Sequence, residues 1–338
     1  MKRITASTLL LATVFGAFSC FDPGVDSSDA ALRSVAGARD DAPVRNCATM
    51  DVLAEDIKNN PGQAKKYDDV EKHTKQYVDK LATMGTQATA ATSQTLTIPV
   101  AIHVLYYTAQ ENISLAQIQS QIDVLNKDYS NSNADRTKLP SAFSSLPASM
   151  DIKFTLNTAD IERKQSNKQS WGTRDAMKSS KKGGFDPKDP SKYLNIWICN
   201  IGGGILGYAQ FPGGQAATDG VVIGPQYFGN TGYVAAPYDK GRTATHEIGH
   251  WLNLRHIWGD ASCGNDQVAD TPTQQTANYG CPSFPHVTCS NGPNGDLFMN
   301  YMDYTDDACM YMFTNGQKAR SQAIFAPGGA RQSFVTTL

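Results

Sequence analysis

A short run in the last third of the chain, HEIGHWLNLRHIWGD at residues 246–260, holds three of the protein's six histidines. His246 and His250 are four residues apart, so on an α-helix they lie on one face, where two imidazoles can bind a single zinc ion. Glu247 is turned partly away and can reach a metal-bound water without binding the metal. This HExxH pattern predicts metal-assisted hydrolysis with the carboxylate as general base.

A third histidine completes the predicted ligand set. His256 follows His250 by six residues, so the chain must turn sharply if both are to reach one metal. Metal sites with this spacing carry glycine at the position of Asn253, because the turn needs a positive φ. Asparagine is the next most tolerant residue of that conformation. We therefore predict three imidazole ligands and one open position for water. The alternative is that these are ordinary core or surface histidines.

The N-terminus indicates export. Lys2 and Arg3 precede an apolar stretch at residues 9–18 that is too short to span a bilayer. Residues 17–19 fit the small-x-small rule of signal cleavage, which predicts a signal peptide at residues 1–19. Cys20 then resembles the lipid-acceptor cysteine of bacterial lipoproteins. The sequence is therefore compatible with two localisations: a secreted protein, or a lipid-anchored protein of the cell surface.

Composition narrows the partners of the chain. Its 338 residues carry a net charge of −2 and no basic block, which argues against nucleic acid and anionic membrane surfaces. Residues 20–94 are polar, contain a predicted helix at residues 67–84 and end in a linker of small residues. We interpret them as a pro-segment and tether. Residues 95–338 are then the catalytic domain.

The order of predicted elements indicates an α+β fold. Strands are predicted in the sequences TLTIPVAIHVLYY, DIKFTLNT, YLNIWICNI, LGYAQF and GVVIGPQYF. A helix in SLAQIQSQIDVLNKDYS follows the first strand, and Ser114 and Gln117 stand where a capping box would begin it. The helix bearing His246 comes after the last strand. We expect a twisted mixed five-stranded sheet with a backing helix and an active-site helix beneath it.

Most cysteines of an exported chain are expected to pair. The four that follow the histidine motif allow three connectivities, which the residues alone leave open: Cys263, Cys281, Cys289 and Cys309. They are not spaced as C-x-x-C pairs, which disfavours a second zinc site. Cys199 lies in a predicted strand and is expected to be a buried free thiol.

Two motifs together resemble a known family. HEIGHWLNLRH, followed by FMNYMDYTDDACM, resembles the metzincin zinc metallopeptidases, and HEIGHW with NYMDY is similar to their pappalysin branch. The resemblance covers about residues 95–327 and implies an endopeptidase that binds an extended protein or peptide substrate against an edge strand, for which LGYAQF is the candidate. It makes Met302 the apolar floor beneath the zinc, with Met299 and Met310 as neighbouring candidates. It makes Tyr304 a stabiliser of the oxyanion.

The same resemblance implies disulfides and structural calcium in the long loop after the helix. By family spacing it pairs Cys263 with Cys289 and Cys281 with Cys309. The candidate oxygen ligands for calcium lie in NDQVADTP, and they are Asp266, Asp270 and Thr271. A solvated acidic loop without a cation is the alternative.

A further hypothesis concerns latency. In RNCATM, Cys47 resembles the pro-segment cysteine that occupies the open zinc position of this family and keeps the zymogen inactive. The alternative is a spare thiol in a flexible tail.

Two other functions compete with a monomeric zinc endopeptidase. One is a gluzincin-type zinc hydrolase, in which a downstream glutamate replaces His256 as the third ligand. The other is a non-catalytic surface binding protein that keeps zinc for structure only. Glu247 argues against the second, because a purely structural site needs no base.

Overall fold

The structure is a computed structural model that describes residues 44–84 and 95–336. The predicted signal peptide at residues 1–19, the candidate lipid acceptor Cys20 and the small-residue linker at residues 85–94 lie outside the described residues. None of the described helices is both long enough and apolar enough to cross a membrane.

The described residues form six α-helices and five β-strands, joined by short 3-10 helices. The helices are α1 (Thr49–Asn59), α2 (Gln63–Met84), α3 (Leu115–Tyr129), α4 (Arg242–Trp251), α5 (Asn315–Ala323) and α6 (Ser333–Thr336). The strands are β1 (Leu96–Tyr106), β2 (Ile152–Gln165), β3 (Leu194–Ile198), β4 (Gly207–Ala209) and β5 (Val221–Ile223). Every predicted strand and helix is present, whereas α1, α5 and α6 have no counterpart among the predicted elements.

All five strands belong to one mixed sheet, in the order β2-β1-β3-β5-β4. Four of them run parallel, and β4 lies antiparallel to β5 at one edge, with Ala209 opposite Val221. This confirms the predicted α+β fold with a mixed five-stranded sheet. The edge strand β4 belongs to the candidate LGYAQF segment, as expected.

The strands alternate their side chains between two apolar layers. Ile196 and Ile198 of β3 pack in the larger core with α3 and α4, whereas Trp197 between them packs on the opposite face. Side chains at successive strand positions point to opposite faces, so both faces of this sheet are covered. Helices α3 and α4 therefore lie beneath one face and hold the histidine motif against the sheet.

Helix α3 begins differently from the expectation. The Ser114 hydroxyl accepts a hydrogen bond from the Gln117 backbone N–H at 3.1 Å, as a capping box requires. The Gln117 side chain does not return to Ser114: its Oε1 accepts the Tyr233 N–H, and its amide nitrogen donates to the carbonyls of Pro225 and Phe228, all at 2.9 Å. The capping-box prediction is wrong in this half, because the amide satisfies a buried loop near the sheet.

Candidate metal centre

Helix α4 carries the first two histidines in a fully buried element. It starts after Gly241, which has a φ of 77° and offers no side chain to cap the helix. Asp307 supplies the cap from a distant loop: its Oδ2 accepts the backbone N–H groups of Lys240 and Arg242 at 2.8 and 3.1 Å. The helix dipole also stabilises a negatively charged carboxylate at this end of the helix. The start of the helix that carries His246 and His250 is therefore fixed by a residue that lies shortly after Met302 in the chain.

The three histidines converge through their Nε2 atoms. The Nε2 of His250 lies 3.2 Å from that of His246 and 3.1 Å from that of His256. The Nδ1 atoms of His246 and His250 face the carbonyls of Tyr301 and Leu254 at 2.7 and 2.8 Å. That contact places the ring proton on Nδ1 and leaves the Nε2 lone pair free. Burial lowers the pKa of both histidines well below the usual value, so both are neutral.

The third imidazole follows the same pattern, since its Nδ1 faces Asp260 Oδ1 at 2.5 Å. Three lone pairs that point at one small volume repel each other unless a cation lies between them. Three neutral nitrogen donors are a preferred ligand set of zinc, and the outer hydrogen bonds are those that orient such ligands. The donor set of His246, His250 and His256 therefore fits zinc.

Asn253 makes the turn that brings His256 back to the other two. Its φ is 73°, the left-handed conformation that the spacing predicts. The backbone N–H groups of Asn253 and Leu254 donate to the carbonyls of His250 and Gly249, both at 2.9 Å. The same turn presents the Leu254 carbonyl to His250 Nδ1. Asparagine thus performs the backbone role of the usual glycine.

Glu247 lies buried beside the histidines. Its Oε2 accepts hydrogen bonds from the Thr49 hydroxyl at 2.9 Å and the Cys47 thiol at 3.3 Å. Burial raises the pKa of Glu247 to about 7, against the lowering effect of those two donors. A Cβ on Gly207 would lie 2.9 Å from Glu247 Cγ, so the glycine of β4 makes room for this side chain. The carboxyl can therefore gain or lose a proton near neutral pH.

Cys47 lies among the histidines and not in a tail. Its sulfur and the imidazole nitrogens of the three histidines lie within 4.8 Å of one another, the one group of this kind in the described part of the chain. Burial, and then the charge of Glu247, raise the pKa of the thiol well above the usual value. Backbone bonds hold its segment on β4: Leu206 N–H donates to Asn46 O at 2.9 Å and Ala48 N–H to Gly207 O at 3.1 Å.

Met302 and Tyr304 both lie close to the helix and turn that carry the three histidines. Met302 is fully buried against helix α4, since a Cβ on Gly249 would lie 2.4 Å from its sulfur. The Tyr304 ring lies 5.0 Å from the His256 ring, and its hydroxyl donates to the Cys47 carbonyl at 3.3 Å. Burial raises the pKa of Tyr304 well above its usual value, so the hydroxyl keeps its proton as a donor.

Comparison with known proteins agrees with this geometry. Residues 179–326 match the family model described as Pregnancy-associated plasma protein-A. An extracellular metalloprotease of Pyricularia oryzae is 34% identical over 244 residues, which cover 70% of this chain and 77% of that protein. Another, of Arthroderma otae, is 32% identical over 257 residues, which cover 73% and 84%. The chain belongs to the pappalysin family of metallopeptidases.

Solved structures extend the likeness of this pappalysin to its N-terminal part. Mature mirolysin of Tannerella forsythia in complex with a cleaved peptide is 47% identical, with a TM-score of 0.70, and the match covers 72% of this chain and 96% of that chain. A promirolysin mutant of the same organism is 42% identical with a TM-score of 0.76, and covers 86% and 97%. The chain is thus a metalloendopeptidase with a metzincin fold. Its relatives are named extracellular, which supports export.

In this pappalysin, disulfides cross-link the long loop that follows His256. Disulfides join Cys263 to Cys289 and Cys281 to Cys309, the pairing that the resemblance implies. Cys199 is a buried free thiol, as expected.

The candidate calcium ligands of this loop bind protein groups in the structure. Asp266 accepts the Thr271 hydroxyl at 2.9 Å and the Val268 N–H at 3.0 Å. Asp270 accepts the Gly316 N–H at 2.8 Å, at the start of α5. The two carboxylates thus stabilise a turn and a helix start, and within the described ranges they belong to no three-residue metal cluster.

One pocket of the site has no counterpart in the sequence prediction. Arg45 of the N-terminal segment is almost fully buried, and its guanidinium donates to Asp307 Oδ1 at 2.5 Å and to the Thr305 carbonyl at 3.3 Å. A third nitrogen donates to the Thr243 hydroxyl at 3.3 Å, and the guanidinium lies 4.8 Å from the centre of the Tyr238 ring. Arg45 precedes Cys47 by two residues. The carboxylate and the aromatic ring of its pocket are groups that bind a guanidinium.

Proposed function

We propose that the protein is a zinc-dependent endopeptidase made as a latent precursor. The precursor would comprise a signal peptide at residues 1–19, a pro-segment and linker at 20–94 and a catalytic domain at 95–338. His246, His250 and His256 would hold the zinc. The observation that carries the proposal is the convergence of three Nε2 atoms at 3.1 and 3.2 Å while each Nδ1 faces an oxygen acceptor.

Zinc in this site would supply Lewis acidity, which lowers the pKa of a water ligand and polarises a peptide carbonyl. The residues around it handle the proton. Glu247 Oε2 is occupied by Thr49 and Cys47 in the latent form, and departure of the pro-segment frees it to accept a proton from the attacking water. A pKa of about 7 suits a group that must then deliver that proton to the leaving amine.

Tyr304 is proposed to bind the substrate carbonyl. Its hydroxyl already donates to a peptide carbonyl, that of Cys47, at 3.3 Å. In the mature enzyme the same donor would serve the oxygen that gains negative charge during attack. Met302 contributes no chemistry: its side chain fills the space against Gly249 and fixes the depth of helix α4.

The substrate is proposed to lie along β4 with an arginine beside the scissile bond. The pro-segment shows that an extended chain can pair with this edge, through the contacts of Asn46 and Ala48. Asp307 provides a buried negative charge at the bottom of the adjacent pocket, where Arg45 now lies. Once the pro-segment leaves, a substrate side chain with a guanidinium best replaces it, because a neutral side chain leaves the carboxylate unpaired.

Cys47 is proposed as the latch of the precursor. Its sulfur lies within 4.8 Å of the histidine nitrogens, where a thiolate could complete a tetrahedral zinc site. In its protonated form the same sulfur donates to Glu247 instead, so in either form it would lie between the metal position and the base. Structural calcium near Asp266, Asp270 and Thr271, and lipidation of Cys20, stay predictions from the sequence.

Replacing His256 by alanine tests the metal site. The zinc content of the purified chain should fall from one per molecule to well below one, and cleavage of casein should be lost. Glu247→Gln is the matched control: it should keep the zinc and lose the cleavage. Full zinc occupancy in His256→Ala would refute the three-histidine site and favour a gluzincin-type ligand set. Cleavage that survives a chelator would refute the metal mechanism.

A further inference from the structure

The turn that carries His256 also contacts helix α2 of the pro-segment. The Asn253 amide donates to the Thr74 hydroxyl at 3.1 Å, and both side chains are buried. The glycine usual at this position has no side chain and cannot make this contact. The departure from the family pattern at Asn253 therefore has a second consequence, apart from the backbone conformation.

An ion pair reinforces this contact. Arg320 of α5 is buried, with 4% of its side chain exposed, and it donates to Glu71 Oε1 at 2.5 Å. Its Nε donates to the Asn253 carbonyl at 2.6 Å, so one arginine joins α2 to the metal-binding turn. Arg255 of that turn lies 3.8 Å from the other oxygen of Glu71. Glu71 thus faces two cations of the catalytic domain, while Thr74, one helical turn later on the same face, binds Asn253.

Processing of the linker would leave these contacts in place. Helix α2 ends at Met84 and β1 begins at Leu96, so a cut in the linker would fall between these two elements. A cut there removes the covalent connection, but Glu71 and Thr74 remain on the docked segment with their partners. Retention of the segment then depends on non-covalent contacts alone.

We propose that Asn253, Arg255 and Arg320 form a recognition surface for helix α2, which keeps the cleaved pro-segment on the catalytic domain. This rests on the proposed role of residues 20–94 as a pro-segment, and it adds a second contact, separate from Cys47. The surface fits a helix that presents a carboxylate and a hydroxyl three residues apart. Activation therefore needs a step beyond linker cleavage that weakens this docking.

The test uses the zinc-loaded full chain with Glu247→Gln, which prevents self-digestion, and a foreign protease site placed within residues 85–94. After the cut, the rate of pro-segment release is measured by size exclusion, with and without Cys47→Ala. In both backgrounds the segment should co-elute with the catalytic domain. Glu71→Gln should speed release at least about tenfold, because it leaves the buried Arg320 without its charge partner. Asp79→Asn removes an exposed charge of the same helix that pairs with Lys75, and should change nothing.

A double-mutant cycle isolates the contact with the turn. Thr74→Val should speed release of the segment when Asn253 is present and should have no further effect when Asn253 is replaced by glycine. Asn253→Gly keeps the turn, because glycine adopts a positive φ. Zinc analysis verifies that the variant retains its metal. Any of three results would overturn the proposal. The first is immediate release of the segment from Cys47→Ala alone, and the second is release from Glu71→Gln at the same rate as from Asp79→Asn. The third is an additive effect of Thr74→Val and Asn253→Gly in the cycle. Retention of the segment in Cys47→Ala supports the recognition surface. It does so even if that variant gains no activity, a result that would refute only the proposed role of Cys47.

Discussion

Asp307→Asn should remove the arginine preference that we propose for the mature enzyme. In the precursor, the Arg45 guanidinium and the Asp307 carboxylate are both shielded, with 1% and 0% of their side chains exposed. The asparagine would still need an oxygen towards the N–H groups of Lys240 and Arg242, which Asp307 Oδ2 accepts at 2.8 and 3.1 Å. Its amide nitrogen would then face the guanidinium, so a donor would meet a donor.

The size of the effect follows from the burial of this pair. Removal of one partner of a buried ion pair costs about 3–5 kcal/mol. The substrate pocket is more open than the precursor site, so we take the lower figure of about 3 kcal/mol, or about a hundredfold in kcat/KM. The loss concerns arginine alone, because a neutral substrate side chain never has the charge interaction.

The assay compares two fluorogenic peptides that differ at one position, arginine in one and citrulline in the other. Citrulline has the shape of arginine without its charge. The wild-type ratio of kcat/KM should favour arginine, and Asp307→Asn should bring the ratio close to one. Asp186→Asn, an exposed carboxylate that lines the groove beyond β4, is the matched control and should keep the wild-type ratio. An unchanged ratio in Asp307→Asn would refute the assignment of this pocket.

Three further outcomes follow from the site. Cys47→Ala should raise peptide hydrolysis by the uncut precursor, because it frees Glu247 as well as the metal, and a precursor as inactive as wild type would contradict the latch. Tyr304→Phe should lower kcat about tenfold or more while KM changes little, and a loss confined to KM would show that the hydroxyl binds only the ground state. Burial raises the pKa of Asp303 to about 6 from 3.8, so its contribution to stability is present below about pH 4 and is lost as the pH rises through 6. Relative to Asp303→Asn, the free energy of unfolding of the wild type should rise by up to about 3 kcal/mol as the pH falls from 7 to 4. The same difference between the two proteins at both pH values, measured by chemical denaturation, would contradict this.

The sequence predicts those parts of the site that lie close together along the chain. His246, His250 and His256 fall within eleven residues, so helical spacing and one turn decide their arrangement. The alternating apolar residues of the strands predict the sheet for the same reason, because each pattern reflects a local backbone period. Family resemblance extends the prediction to Met302 and Tyr304, which no spacing rule connects to the helix.

The parts that the sequence leaves undetected join residues far apart in the chain. Arg45 and Asp307 are 262 positions apart, and Thr74 and Asn253 are 179 apart. A lone arginine or threonine in a polar segment resembles a solvated residue until its partner is known. The failed half of the capping box has the same origin, since Gln117 binds the loop at Pro225 and Phe228. A local rule fails when buried groups from a distant part of the chain bind the same side chain.

The long-range contacts also bear on how the proposed pro-segment could lie in the cleft without being cut. Its backbone forms a parallel bridge with Gly207 of β4, and its carbonyl at Cys47 receives the hydroxyl that we assign to the substrate. In this arrangement one oxygen of Glu247, Oε2, accepts hydrogen bonds from both Thr49 and Cys47. A carboxylate oxygen that already accepts two hydrogen bonds has no lone pair left for a water. We therefore expect the residues that the proposed pro-segment offers to the site to protect it from cleavage: Cys47 beside the histidines, and Cys47 and Thr49 on Glu247.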